Sequence, residues 1–254
     1  MNNIEKYRFD DFTFKNYEKL IRIAKDNGFQ FIFHSDEYID DRKDVIWRHD
    51  VEFEPNYALR MAQIENKLGV KSTYFFQLHC PLYNILDGIY TKIFYQIRDL
   101  GHKVGLHFDS AYWGINSEEQ LDKYILIDKV YMEDNLGVEI DTFSFHNTTP
   151  FTMSCLEYKY GGLINVYSNF YKSRYNYCSD SLGYWRFDRL EDVLNDKNVM
   201  HLQVLTHDAN WSDDVKSPRQ RFTDAIYMHA DRLVKNHIEF LHSRGLLCPA
   251  DDED

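Results

Sequence analysis

No two cysteines in this chain have the spacing of a metal knuckle or a redox pair. Cys80, Cys155, Cys178 and Cys248 are scattered over 254 residues without a CxxC, which argues against a disulfide framework and against a thiolate zinc site. No apolar run approaches the roughly 18 residues that a membrane helix needs. Met1 to Lys6 lack the apolar stretch of a signal peptide. The expectation is a soluble, cytoplasmic protein without membrane insertion. Basic residues are also short. Lys and Arg total 29 against 41 Asp and Glu, a net charge of −12, which disfavours nucleic acid or an anionic membrane surface as the main partner. A phosphorylated small substrate held by one local arginine is still compatible. There is no internal repeat, low-complexity stretch or Pro/Gly-rich linker, so the chain reads as one domain, long enough to build its own core.

What the chain does have is aromatic residues: 19 Tyr and 18 Phe within a 16% aromatic content. Most belong in a core, and some could line a carbohydrate cleft. Hydrophobic periodicity gives alternating helices and short strands. Helices are expected over 15–27, 56–67, 87–100, 117–135 and 218–243. Gly28, Gly69, Gly101 and Gly137 end the first four of these, and Pro55 opens the second. Strands are expected over 29–33, 45–50, 71–77, 103–107, 140–145 and 199–206. The stretch 150–198 is less regular, with a short helix, a short strand and Tyr-rich loops. Alternation of this kind predicts parallel strands, roughly six or seven in all, in a sheet or barrel.

Several of these runs stop on a histidine or an aspartate. Val45-Ile46-Trp47 leads to Arg48-His49-Asp50, Thr73-Tyr74-Phe75-Phe76 to His79, and Val104-Gly105-Leu106 to His107. Thr142-Phe143-Ser144-Phe145 leads to His146, Asp180 comes near Tyr175-Asn176-Tyr177-Cys178, and Leu202-Gln203-Val204-Leu205-Thr206 leads to His207. In parallel α/β folds ligands sit at the carboxyl ends of the strands, so one rim is expected to collect the metal-binding and acid–base side chains. Each residue also has a structural reading: Asp50 as a turn cap, His107 as a core imidazole bonded to backbone, and Asp180 and Arg186 as a surface ion pair.

Three segments carry a family likeness: Trp47-Arg48-His49-Asp50-Val51-Glu52, Gly101-His102-Lys103-Val104-Gly105-Leu106-His107 and Leu205-Thr206-His207-Asp208-Ala209-Asn210-Trp211. In order and spacing they resemble the polysaccharide deacetylase superfamily (NodB-like, carbohydrate esterase type). The likeness is to the branch with an Arg-His-Asp-Val-acid first motif, associated with surface-polysaccharide biosynthesis. It extends through Tyr83-Asn84, Ser144-Phe145-His146, Ser179-Asp180-Ser181 and Trp185-Arg186, and spans roughly residues 5 to 245. It implies a single-domain irregular (β/α) barrel of about six to seven parallel strands over 45–245. An N-terminal helix and strand (1–44) would pack on that barrel, and an acidic tail (246–254) would be disordered.

The resemblance also implies a chemistry. A divalent metal, zinc being the expected one, polarises an acetamide carbonyl and activates a water. A carboxylate takes the water's proton and a histidine protonates the leaving amine. The family's second metal histidine lies four residues after the first, where this chain has Ala111. The first motif's usual Asp pair is altered as well. The expected ligands are therefore Asp50, His107 and His146, the last from a different strand, with Glu52 or Asp109 able to supply a second carboxylate because alternation places them on the same side as Asp50 and His107. His207 is the expected general acid. Asp180 orients it or acts as base, and His49 is a further catalytic candidate. Arg186, Trp185, Trp211, Tyr83 and Asn84 are the expected substrate contacts.

The function implied is removal of an N-acyl group from a sugar, or from a nucleotide- or lipid-linked sugar. The alternatives are a degenerate relative that binds glycans without hydrolysing them and another sugar-acting barrel metalloenzyme.

Overall fold

The computed structural model describes residues 2–247. Most of the acidic tail and Cys248 lie outside the described residues. The chain opens with α1 (Asn3–Tyr7) and α2 (Phe14–Asp26). Thr13 caps α2 by accepting from the Asn16 N–H at 3.2 Å, and Tyr17, Leu20, Ile21 and Ala24 form its buried stripe. Then come β1 (Gln30–Ile32), β2 (Asp44–Val51), α3 (Pro55–Lys67), β3 (Thr73–Phe76), α4 (Gly88–Asp99) and β4 (Lys103–Phe108). Next are α5 (Glu118–Leu136), β5 (Thr142–Phe145), α6 (Pro150–Ser154), β6 (Lys159–Tyr160), β7 (Leu163–Asn165) and α7 (Asn169–Arg174). The chain ends with β8 (Asn176–Ser179), α8 (Leu190–Asn195), β9 (His201–His207) and α9 (Pro218–Ser243). Ser117 and the acidic pair Glu118 and Glu119 start α5, and Gly137 at φ 58° ends it.

The nine strands make one sheet in the order β6-β7-β5-β4-β3-β2-β9-β8, with β1 alongside the start of β2. All pairs are parallel except β6–β7. The sheet curls with helices outside it, and its ends, β6 and β8, do not pair, so this is an irregular, open (β/α) barrel. Its strand count exceeds the six or seven expected because β6 and β7 are too short for an alternating pattern to register. The hairpin between β6 and β7 turns on Gly161 and Gly162, both at positive φ.

β2 lies at the centre and is buried along its whole length, as a parallel strand covered on both faces should be. Val45 and Trp47 face outward into a core shared with α2, α3 and α8, and Val51 faces outward into the core under α4 and α5. Ile46 faces inward with Ile32, Ile164, Tyr171 and Tyr175, closing the bottom of the barrel. Above Ile46 on the inward face come Arg48 and Asp50, which are polar yet buried. Gly105 on β4 makes room for this inner layer. A Cβ there would lie 2.6 Å from the Phe75 ring and 2.9 Å from the Thr142 carbonyl oxygen, so only glycine lets Phe75 lie flat beneath the polar side chains.

Candidate active site

Above this floor, the carboxyl ends of β2, β5, β8 and β9 surround a cleft of about 780 Å³. Asp50, Glu52, Tyr167, Tyr177, Leu205 and His207 line its inner walls, and Arg186, Arg219 and Phe222 stand nearer its mouth. Among the described residues three non-glycine residues have positive φ, and two of them, Asn147 at 46° and Leu182 at 69°, line this cleft. Backbone strain of this kind collects at functional sites.

Three side chains converge on one point. Glu52 Oε1 lies 3.0 Å from His107 Nε2 and 2.9 Å from His146 Nδ1, and the two imidazole nitrogens are 3.3 Å apart. Among the described residues this is the group of His, Cys, Asp and Glu whose donor atoms could hold a metal ion. The network behind His107 fixes how it can serve. Arg48 Nη1 donates to both oxygens of Asp50 at 3.2 and 3.3 Å. Because a carboxylate only accepts, Ser144 Oγ donates its one hydrogen to Asp50 Oδ1 at 3.0 Å. Ser144 Oγ can then only accept from His107 Nδ1, 2.7 Å away. The proton of neutral His107 is thus on Nδ1, and the Nε2 lone pair points at the Glu52 oxygen. Two lone pairs at 3.0 Å repel unless a proton or a cation lies between them. A divalent ion with two imidazoles and one carboxylate is the arrangement of catalytic zinc and non-haem iron sites, and the Asp50–Ser144–His107 chain is the outer support such ligands require. Burial would push the Glu52 carboxyl up, but His107, His146 and His207 hold it well below the usual carboxylate range.

Asp50, the expected carboxylate ligand, is not among these converging atoms. It accepts from Arg48 and Ser144, and it lies 3.8 Å from His107 Nδ1. Glu52, two residues on along the same face, is the carboxylate that meets the two imidazoles. His146, from another strand, stands beside His107, while Asp109 caps its own loop by accepting from the Ala111 and Tyr112 N–H groups. Asp208, which sequence reasoning passed over, is fully buried and accepts from the backbone N–H groups of Glu52, Phe53 and Glu54, so it sets the backbone from which Glu52 projects. Its only sequence signal is its place directly after His207.

Across the cleft, His207 Nδ1 lies 2.6 Å from Asp180 Oδ1. The other Asp180 oxygen accepts from the His207 N–H and from Trp211 Nε1. Asp180 is thus an orienting partner for the imidazole. Burial opposes a charged ring here, but the Asp180 carboxylate, helped by Glu52 and Asp50, pushes His207 up to about 10. Asp180→Asn removes this support, so His207 is expected to titrate near or below its ordinary value of about 6.5. Imidazole ¹⁵N shifts across a pH series read this directly, and an unchanged titration would contradict the assignment. Because the folded value is raised, the ion pair contributes its full stability below pH ~6.5 and loses it as pH rises through about 10.

His49, a further catalytic candidate, does not line the cleft. It points out of the barrel, to Glu65 Oε1 at 2.8 Å and Thr206 Oγ1 at 2.7 Å. Of the expected substrate contacts, only Arg186 lines the cleft. Trp211 is fully buried behind His207, and Trp185 packs on Phe12 and Trp211. Tyr83 is buried and donates to the Val51 carbonyl at 2.8 Å. Asn84 lines a separate cavity of about 280 Å³ with Asp87, His229 and Arg232. His79, the remaining strand-end histidine, pairs with Asp128 and stacks on Tyr112.

No family model matches this sequence, and no curated protein aligns with it. Solved structures align with most of its length at low identity. A Bordetella bronchiseptica polysaccharide deacetylase described as involved in O-antigen biosynthesis is 16% identical at a TM-score of 0.42, over 81% of this chain and 88% of that one. A family 4 carbohydrate esterase from Bacillus anthracis is 13% identical at 0.40, over 91% and 89%. A family 4 pseudoenzyme from the same organism is 14% identical at 0.41, over 78% and 63%.

Proposed function

We propose that this protein is a metal-dependent hydrolase that removes an N-acyl group, acetyl in the simplest case, from an amino sugar carried on a soluble or lipid-linked precursor in surface-polysaccharide assembly in the cytoplasm. The observation that carries the reading is the convergence of His107 and His146 on Glu52, which lines the same cleft as the Asp180-oriented His207. Zinc is the metal we assign, since two imidazoles and a carboxylate suit it and leave a position open for water. When bound, such an ion polarises the amide carbonyl and makes its water nucleophilic.

The chain's own residues supply the rest. Ser144 and Asp50 hold the His107 ring in the tautomer that offers Nε2. Asp50, which lines the same cleft as Glu52 and His207, is the carboxylate we assign to accept the water's proton. His207, charged through Asp180, donates its Nε2 proton to the departing amine, which cannot leave as an anion. A cleft of about 780 Å³ has the size of a small-molecule site, which supports a precursor over a long polymer as substrate.

The test is acetate release from N-acetylated nucleotide- and lipid-linked sugars, together with metal content by mass spectrometry. The reading predicts about one zinc per chain and turnover abolished by chelation. Protein that binds no metal, or whose turnover survives His107→Ala, would overturn it.

A further inference from the structure

Two arginines at the cleft form no ion pair among the described residues, Arg186 lying over the Phe187 ring at 5.2 Å, in a chain whose acidic residues outnumber its basic ones by 41 to 29. Arg186 follows β8, and Arg219 is the second residue of α9. Both are exposed, both line the cleft, and neither has an acidic partner among the described residues. Most other arginines of the fold are spent on carboxylates: Arg8 on Asp10, Arg42 on Asp44, Arg48 on Asp50, Arg60 on Asp213, Arg189 on Asp11 and Arg232 on Glu54.

Arg219 is also poorly placed for helix stability. It stands at the positive end of a 26-residue helix whose first turn carries no acidic residue, where a cation is disfavoured. The wall around the pair is built firmly. Arg221, buried one turn into α9, donates to the carbonyls of Asn210 and Gly183, which ties the helix start to the loops after β8 and β9. Between these loops Leu182 is held at φ 69° and is 65% exposed, an apolar face kept open at a cost in backbone strain. Phe222, 43% exposed, also faces the cleft.

We propose that Arg186 and Arg219 form an oxyanion subsite at the cleft mouth, away from the reacting amide, and that Leu182 and Phe222 supply the apolar surface on which the part of the substrate next to that anion rests. The inference rests on the deacetylase reading only for what lies at the other end of the cleft. The ligand chemistry is a phosphate or carboxylate attached to the sugar. Guanidinium groups recognise such oxyanions in two-pronged fashion. They also offset locally the repulsion that a net charge of −12 exerts on an anionic substrate.

Calorimetric titration of the metal-loaded protein with UDP, with glucuronate and with a neutral N-acetylated disaccharide tests this. Arg186→Ala and Arg219→Ala are each expected to weaken UDP or glucuronate about tenfold, and the double variant about a hundredfold. Affinity for the neutral disaccharide should stay within twofold. Oxyanion affinity should also fall as salt is raised in wild type, and much less so in the double variant. Tight UDP with weak glucuronate identifies a phosphate-linked substrate, and the reverse identifies a sugar acid. Equal oxyanion affinity in wild type and the double variant, or no oxyanion binding in wild type, would overturn the subsite. UDP binding that depends on the arginines in a protein without turnover would overturn the deacetylase reading and leave the subsite standing.

Discussion

Glu52→Gln is expected to cost the protein its metal and on the order of a thousandfold in deacetylation, whereas Asp50→Asn should retain the ion at about 10- to 100-fold lower affinity. The contrast follows from the geometry. Glu52 Oε1 is within 3.0 Å of both imidazole nitrogens, while Asp50 reaches His107 only through Ser144 Oγ, and its own oxygens are held by Arg48. Glutamine keeps the shape of Glu52 but removes the negative charge that a dication needs next to two neutral imidazoles. Asparagine at position 50 keeps an acceptor for Ser144, so the His107 tautomer survives with weaker support. Zinc titration of the two variants, followed by competition with a chelator, checks this. If Asp50→Asn lost the metal and Glu52→Gln kept it, the ligand assignment would be reversed.

Glu65→Ala should destabilise the fold by about 3–5 kcal/mol, the range for leaving a buried charge network without its partner. Glu65 is fully buried between α3 and the outer face of β2. One oxygen accepts from Tyr17 at 2.6 Å and meets His49 Nε2 at 2.8 Å. The other accepts from Ser72 at 2.6 Å and Tyr74 at 2.7 Å. Alanine would strand all of these donors in an apolar core. The exposed Arg8–Asp10 pair is the control: Asp10→Ala should change stability by less than about 1 kcal/mol. Urea unfolding measures both, and equal losses would contradict the role of Glu65.

The same network has a pH signature. Burial would raise the Glu65 carboxyl, but His49, His102 and the hydroxyl donors hold it at about 2. A folded value below the unfolded one, about 4.3 for a free Glu, gives stability that is complete above that pH and lost as pH falls toward 2. Acid unfolding should therefore begin in that window in wild type, and Glu65→Gln should flatten the dependence there.

The main helices and strands were legible in the sequence because each is amphipathic or wholly apolar and ends on a glycine or a capping residue; α5 from Ser117 to Gly137 shows both signals. β6 and β7 were not, since strands of two or three residues carry too little alternation to stand out from loops. At the site, the strand-end rule and the family resemblance brought His107, His146, His207 and Asp180 to attention. The structure sets the two imidazoles beside Glu52 and His207 beside Asp180. Strand alternation put Asp50 and Glu52 on one face but could not say which reaches past Ser144 to the imidazoles. That depends on Arg48, whose pull on Asp50 is invisible until the barrel is closed around it. His49 lies on the opposite face because it is adjacent to Asp50 in sequence, and a strand turns adjacent residues to opposite faces. That His146 stands beside His107 from another strand is a juxtaposition that spacing within one motif cannot show.

Anomalous diffraction at the zinc edge from crystals of the zinc-loaded protein tests the central claim most directly. The account predicts one strong peak between Glu52 Oε1, His107 Nε2 and His146, with Asp50 still turned toward Arg48 and Ser144. A peak coordinated by Asp50 in place of Glu52, or no peak in the cleft at saturating zinc, would contradict it.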